Sequence, residues 1–322
     1  MKTIGSFLKP RIDAARVVSS YTGKSVLYHF FDCLYCNWKY GCRCYQYSDM
    51  DFYKLRSFDR AKTLTSGHLQ KASRYNNPQY LHFTERKNEF NETYSRFIKR
   101  GWLYGMNSTP DAVADFVRSY GRVIVKPNAS EAGEGIYLLE GSDVTAEQIA
   151  KIAGKDVIVE QCVEQHPDLA FAGKSVNTIR IVTMVDSWGK PHILTAALRC
   201  GVGGSVVDNF SAGGVGYPIN IEHGIIETFG VQIANRHKPV YIHPGTDIVV
   251  VGRRIPFWSE VLSMVEEAAT VLPQLRYVGW DVAVTPEGPL IIEGNPSPGF
   301  GLLEGIGNNR GIYGAIMRYA NS

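Results

Sequence analysis

The sequence predicts an α+β fold, and three observations carry that prediction. First, the texture changes near residue 100: a Tyr-, Cys- and base-rich opening with few glycines gives way to short apolar runs separated by Gly-rich turns. Second, VNTIRIVTMV and HILTAALRC, between residues 176 and 200, flank a turn containing Ser187 and Gly189, the pattern of an antiparallel hairpin. Third, GWDVAVTPEGPLIIEGNPSPG, residues 279 to 299, reads as another hairpin folded at ProGluGly. Antiparallel pairing mixed with helices argues α+β.

The opening, with its weak β alternation, reads as a mainly helical lobe over 1–97. Two further lobes follow, a small one over 98–165 and a large one over 166–322. Thr109 caps a helix whose first position holds Pro110 and which stops near Gly121. RVIVK (122–126) is a buried strand, followed by the turn-rich AsnAlaSerGluAlaGlyGluGly and a strand at IleTyrLeuLeu. Residues 145–154 have helical spacing and a Gly stop, and ValIleValGlu (157–160) is a strand. The segment from Pro256 spaces its apolar residues for one helix face.

Composition excludes several classes. The chain has 322 residues, 44% of them hydrophobic, and a net charge of +3 with basic residues scattered, so nucleic acid is not implied as a partner. No apolar run approaches the ~18 residues of a membrane span. Lys9, Pro10, Arg11 and Asp13 break any signal sequence, so the expected location is cytoplasmic. The six cysteines are then expected to be reduced. Cys33, Cys36, Cys42 and Cys44 have the right count for zinc, but the CxC half and the lack of a His-rich partner nearby favour small buried side chains.

The second hairpin carries the most chemistry. With its turn centred on Glu287, Asp281 falls opposite Glu293, and Asn295 shares their face. Carboxylates about 5 Å apart repel by roughly 3 kcal/mol at an effective dielectric near 20, so a positive group belongs between them. Two carboxylates and an amide oxygen suit Mg²⁺ with nucleotide phosphates as further ligands. The alternative is a solvated acidic face. Elsewhere, Lys126 ends a strand before a loop with Gly133 and Gly135, placing an ammonium and backbone donors where a phosphate could be cradled. Arg180 lies inside a strand, where an unpaired guanidinium is costly, so it needs an anionic partner, and Arg199 makes a similar case. P-loop, HExxH, GxSxG, kinase and Rossmann motifs are all missing from the sequence.

The order VIVKP with its Gly loop, VIVEQCV (157–163), SVNTIRIVT (175–183), DNFSAGG (208–214) and the EGNP hairpin resembles the ATP-grasp superfamily over roughly residues 80 to 305. The Tyr-rich opening, LysAsnGluPheAsn (87–91) and SerValAsnThrIleArg (175–180) resemble its branch associated with sugar transfer and capsule-type polysaccharide loci.

The resemblance implies two α+β lobes enclosing ATP, with Mg²⁺, two ions, at Asp281, Glu293 and Asn295. It places Lys126 and Lys87 on the phosphates, and Glu160, Gln161 and Val163 at the adenine edge. Glu164, Gln165 and His166 become ribose candidates, while Asn209 and Gly213 to Gly214 lie near the γ phosphate. Arg180 and Arg199 would meet a phosphate or a substrate carboxylate. The implied reaction is ATP-dependent carboxylate–amine ligation through an acyl phosphate, with a glycan uronic acid or an amino acid as substrate. A small-molecule kinase or a non-catalytic nucleotide-binding module on the same fold is the alternative. Acceptor recognition is expected in the helical lobe and in 299–310.

Overall fold

The computed structural model describes residues 4–129, 135–142, 144–171, 176–202, 213–232, 235–299, 304, 306 and 310–322. The opening is helical, as its texture predicts: α1 (Ile4–Thr22), α2 (Val26–Tyr40), α3 (Cys44–Asp49), α4 (Ser57–Lys62), α5 (Ser66–Ala72), α6 (His82–Glu85), α7 (Lys87–Thr93) and α8 (Ser95–Ile98). It does not pack as one body. Val18, Cys33, Cys36, Cys42, Tyr47 and Phe52 form a core of their own around α1 to α3. The later helices are spent on the large sheet, as described below. The cysteines serve that first core, and burial pushes the Cys33 and Cys36 thiols up to about 12, so they stay protonated.

Four strands form the small antiparallel sheet: β1 (Trp102–Tyr104), β2 (Arg122–Pro127), β3 (Tyr137–Glu140) and β4 (Val157–Gln161), in spatial order β1-β4-β2-β3. Alternation sends Val123, Val125 and Val159 to one face, where α9 (Pro110–Tyr120) covers them with Val113 and Val117. Ile124, Lys126, Ile158 and Glu160 take the other face. The Thr109 hydroxyl accepts from the Ala112 amide at 3.3 Å, which starts α9 where the sequence predicts. The short α10 (Ala146–Ala150) begins with a capping box between Thr145 and Gln148.

The large sheet has seven antiparallel strands in the order β11-β10-β5-β6-β7-β8-β9. They are β5 (Thr178–Val185), β6 (Pro191–Cys200), β7 (Val215–Pro218), β8 (Gly230–Gln232), β9 (Asn235–Val240), β10 (Tyr277–Thr285) and β11 (Gly288–Asn295). One face meets α11 (Trp258–Val271), whose Val261, Val265 and Ala268 keep helical spacing, together with Phe90 of α7, Phe97 of α8 and Tyr94 between them. The other face meets α5 and α12 (Ile312–Ala320) through Ala72, Ile312 and Ile316. Buried Glu304 ties this layer together by accepting from the amides of Leu64, Gly311 and Ile312.

The second hairpin differs from expectation in one respect. Its turn holds two residues, Pro286 and Glu287, between paired Thr285 and Gly288, so pairing starts one residue off the predicted register. A β-bulge at Ile292 then restores it, and Asp281 lies opposite Glu293. The glycines of this segment permit close approach: a Cβ on Gly294 would lie 2.9 Å from the Phe90 ring, and one on Gly279 2.5 Å from Pro298 Cβ.

Trp280 is the largest fully buried side chain; its indole donates to Thr183 Oγ1 at 2.9 Å, and its ring meets Tyr94 edge-on at 5.3 Å. We predict that Trp280→Ala lowers stability by about 3–5 kcal/mol. Denaturant unfolding measures this, and a loss under about 1 kcal/mol would mean that the two layers do not meet there.

Candidate active site

Four side chains form a charged patch on one face of the large sheet. Glu293 on β11, Asp281 on β10 and Arg180 on β5 are direct neighbours in register, so the strand spacing of about 4.8 Å sets them in a row. Arg199 on β6 approaches diagonally. Asp281 is buried and takes the positive charge that the sequence argument demanded: Arg180 donates to both its oxygens, at 2.8 Å to Oδ2, and Arg199 donates to Oδ2 at 2.8 Å. The anionic partner of both arginines is therefore a residue of this chain, because the strand order puts β5 beside β10. A phosphate or substrate carboxylate was expected in that place.

The two carboxylates are unequal. Burial works against the Asp281 charge, but Arg180 and Arg199 outweigh it and hold its carboxyl well below the usual range. Glu293 is pushed up to about 7 by desolvation and then by the Asp281 charge. Solvent still reaches the Glu293 side chain, which is the exposed member of the pair. Asn295 shares its face, and its Oδ1 accepts from the Ser297 amide at 2.9 Å to start the following turn.

A second cluster faces the first from the small sheet. Glu160 is buried and accepts from Lys126 Nζ at 2.7 Å, from Arg100 Nη2 at 2.7 Å and from Asn91 Nδ2 at 3.0 Å. Burial would raise its pKa, but Arg100 and Lys126 hold it well below the usual range. Its carboxylate is thus engaged in holding Lys126 and Arg100. Arg100 continues across to the hairpin, donating to the carbonyls of Ile291 at 2.7 Å and Ile292 at 3.1 Å, where the bulge lies. Lys87, in the first turn of α7, is half-buried and lies near both clusters: burial lowers its pKa, Glu293 and Glu160 raise it, and Lys126 lowers it. Asn128 positions that turn, its backbone carbonyl accepting from the Lys87 amide and its Oδ1 from the Asn88 amide.

The remaining candidates divide. Gln161 accepts from the Gly101 amide at 3.0 Å, and Val163 is half-buried in the connection after β4. Gln165 is spent on the Val284 carbonyl and the Asn177 amide. The His166 ring accepts from the Asp168 amide at 3.2 Å, capping a short turn, and meets Phe257 edge-on. Both side chains are thus engaged within the fold, whereas Glu164 is exposed. Gly135 has φ +72 and closes the phosphate-loop candidate against Pro127, whereas Gly133 lies outside the described residues. Asn209 also lies outside them, while Gly213 is described with φ +101 beside Gly214, its carbonyl accepting from Gln232. Most of 299–310 is likewise outside the described residues.

Arg100, Asn91 and Asn128 escaped the sequence reading. A basic pair before GlyTrp was the available signal for Arg100, and it does not distinguish a solvated from a buried side chain.

The family described as sugar-transfer associated ATP-grasp matches residues 72–319. The chain belongs to this family. No curated protein matches it. Among solved structures, the ATP-grasp ligase PsnB, complexed with minimal precursor, Mg and ADP, is 17% identical, with a TM-score of 0.47 over 76% of this chain and 61% of that one. An ADP complex of PurK, N5-carboxyaminoimidazole ribonucleotide synthetase, is 14% identical, with a TM-score of 0.49 over 78% and 56%. D-alanyl-alanine synthetase A from Vibrio cholerae is 16% identical, with a TM-score of 0.45 over 76% and 67%. The chain thus spans about three-fifths of the length of the first two. The α+β architecture is that of an ATP-grasp protein.

The electrostatics of the two clusters set the pH dependence of stability. The raised Glu293 pKa means that stability is lost as pH rises from the ordinary 4.5 towards about 7. Glu293→Gln should therefore stabilise the protein at pH 8, by on the order of 1 kcal/mol once solvent screening is allowed for, and should do nothing near pH 4. Thermal unfolding against pH reads this, and a variant less stable at pH 8 contradicts it. Glu160→Gln leaves Lys126 and Arg100 without their anion and should cost about 3–5 kcal/mol at neutral pH. The wild-type advantage should fade as pH falls below 4.5, and a constant difference across that range would show that the charge is not what matters.

Proposed function

We propose that this protein is an ATP-dependent carboxylate–amine ligase that forms an amide through an acyl phosphate. One observation carries the reading: Lys87, Lys126, Glu293 and the Asp281–Arg180–Arg199 group, from four separate parts of the chain, come within electrostatic reach of one another. Together they combine two lysines suited to polyphosphate with two hard carboxylates.

Among the described residues, no group of three or more His, Cys, Asp or Glu side chains is arranged to hold a metal. A magnesium ion held by two carboxylates, an amide oxygen and the phosphates does not require such a group. The donor set is all oxygen, which suits the ion: Asp281 is engaged by Arg180 and Arg199, and Glu293 beside it is open to solvent. Asp281, Glu293 and Asn295 would hold Mg²⁺, which supplies charge neutralisation for the transferring phosphoryl group.

The chain's own residues do the rest. Glu160 holds Lys126 by its ammonium as a fixed cation. Lys87 approaches from the first turn of α7 as a second. Arg180 and Arg199, aligned by Asp281, set a positive surface where the attacking carboxylate must approach a polyanion. The carboxylate oxygen bonds to the γ phosphorus as ADP leaves; an amine then adds to the acyl carbon, and phosphate leaves with loss of a proton. No nucleophilic side chain is needed. The family's association with sugar transfer supports a uronic acid or another glycan carboxylate as the acceptor.

The test is ADP formation with Mg²⁺ against a panel of carboxylates including uronic acids, each with pooled amino acids or with hydroxylamine as an acyl trap. ADP with a hydroxamate is expected. ADP with a stable phosphorylated alcohol would make the protein a kinase instead. Asp281→Asn and Lys126→Met should each lower ADP formation by at least about 10³-fold, and near-normal turnover in either overturns the residue assignment.

A further inference from the structure

The helix α2 is apolar on two opposite sides. His29, Cys33, Cys36 and Tyr40 fill the first core, as a helical stripe should. The other side keeps a second stripe at the same spacing: Leu27, Phe31, Tyr35 and Trp38 follow one another at i, i+4, i+8 and i+11, with Tyr28 beside them. Leu27, Phe31 and Trp38 are 69%, 63% and 81% exposed, and Phe7 of α1 adds another exposed ring. An exposed contiguous apolar surface of this kind marks an interaction site.

Charge gathers around it. Residues 1–44 contain seven basic and two acidic side chains, against 27 and 29 in the rest of the chain. One of the two acids, Asp32, is held by Arg60 at 2.7 Å, which leaves Asp13 as the only other. Three of these cations lie at the rim of the stripe. Lys24 is 4.5 Å from the Tyr28 ring centre, Lys39 is 5.3 Å from that of Tyr35 and donates to its hydroxyl, and Arg11 is 3.6 Å from that of Phe7. Arg11 also donates to Asn37 on α2, so the start of α1 and the end of α2 share one surface.

We infer that this face of α1 and α2 docks the protein onto an anionic lipid bilayer, lying in the interface without crossing it. Large apolar side chains inward, amphipathic rings at the boundary and lysines snorkelling to headgroups are what an interfacial helix presents. Among the described residues, no helix is long and apolar enough to span a membrane, which accords with a surface mode. Docking of a second copy through this face would bring two strongly positive patches together, and their repulsion opposes it. A nucleic acid would neutralise the cations but gives Leu27 and Phe31 no apolar phase to enter.

The experiment is flotation of the full chain with vesicles of equal phosphatidylglycerol and phosphatidylcholine, and with phosphatidylcholine alone. Binding to the anionic vesicles is expected, with strong weakening at about 1 M salt, where the Debye length is ~3 Å. The triple variant Leu27→Ser, Phe31→Ser, Trp38→Ser should bind at least about tenfold more weakly. These side chains lie outside the core, so its melting temperature should match the wild type, and Lys24→Gln with Lys39→Gln, which leaves Leu27, Phe31 and Trp38 in place, should also weaken binding to the anionic vesicles. Failure to float with anionic vesicles, or equal flotation of wild type and triple variant, overturns the inference. So does a wild-type dimer in sedimentation, or retention of an oligonucleotide, that the triple variant abolishes without any vesicle binding.

Discussion

Much of this protein's site depends on one buried carboxylate. Glu160 stands at the interior face of the small sheet with Lys126, Arg100 and Asn91 around it, and Arg100 passes the connection on to the bulge in β11. Desolvating such a group costs more than a single ion pair returns, so the cluster is poorly explained as a source of stability. It is well explained as a positioning device. Two cations and an amide that close on one anion admit few alternative arrangements, and they fix how the lysine of the small sheet stands relative to the hairpin of the large one.

The opposed carboxylates have the reverse character. Around Glu160 two cations close on one anion, whereas on the large sheet two arginines face two carboxylates and donate to Asp281. A fold gains nothing from setting two acids side by side on neighbouring strands, and the rise of the Glu293 pKa expresses that cost. A cation delivered with a polyphosphate would relieve it.

Packing also reorganises the helical opening. The helices α5 to α8 cover the two faces of the large sheet, with Phe90 and Tyr94 against Trp280 on one side and Ala72 beside Ile316 on the other. Lys87 reaches the site because α7 is part of that covering layer. The segment from α1 to α3 has a separate core and a separate surface, so its chemistry can serve a purpose other than nucleotide handling.

The sequence by itself determined what depends on near neighbours. Period-two runs made the hairpins legible, ThrPro and the following glycine bounded α9, and the helical texture of the first hundred residues was readable from its lack of alternation. The facing of Asp281 and Glu293 was also readable, although the predicted turn and the observed turn differ by one residue and only the bulge at Ile292 reconciles them. Tertiary structure decided the partners. Asp281 meets Arg180 across 101 residues of chain and Glu160 meets Arg100 across 60, and no local pattern encodes which charge will be buried beside which. Backbone propensity and periodicity act over a turn or two of chain, whereas the neutralisation of a buried charge depends on strand order and sheet packing, which exist only once the chain has folded.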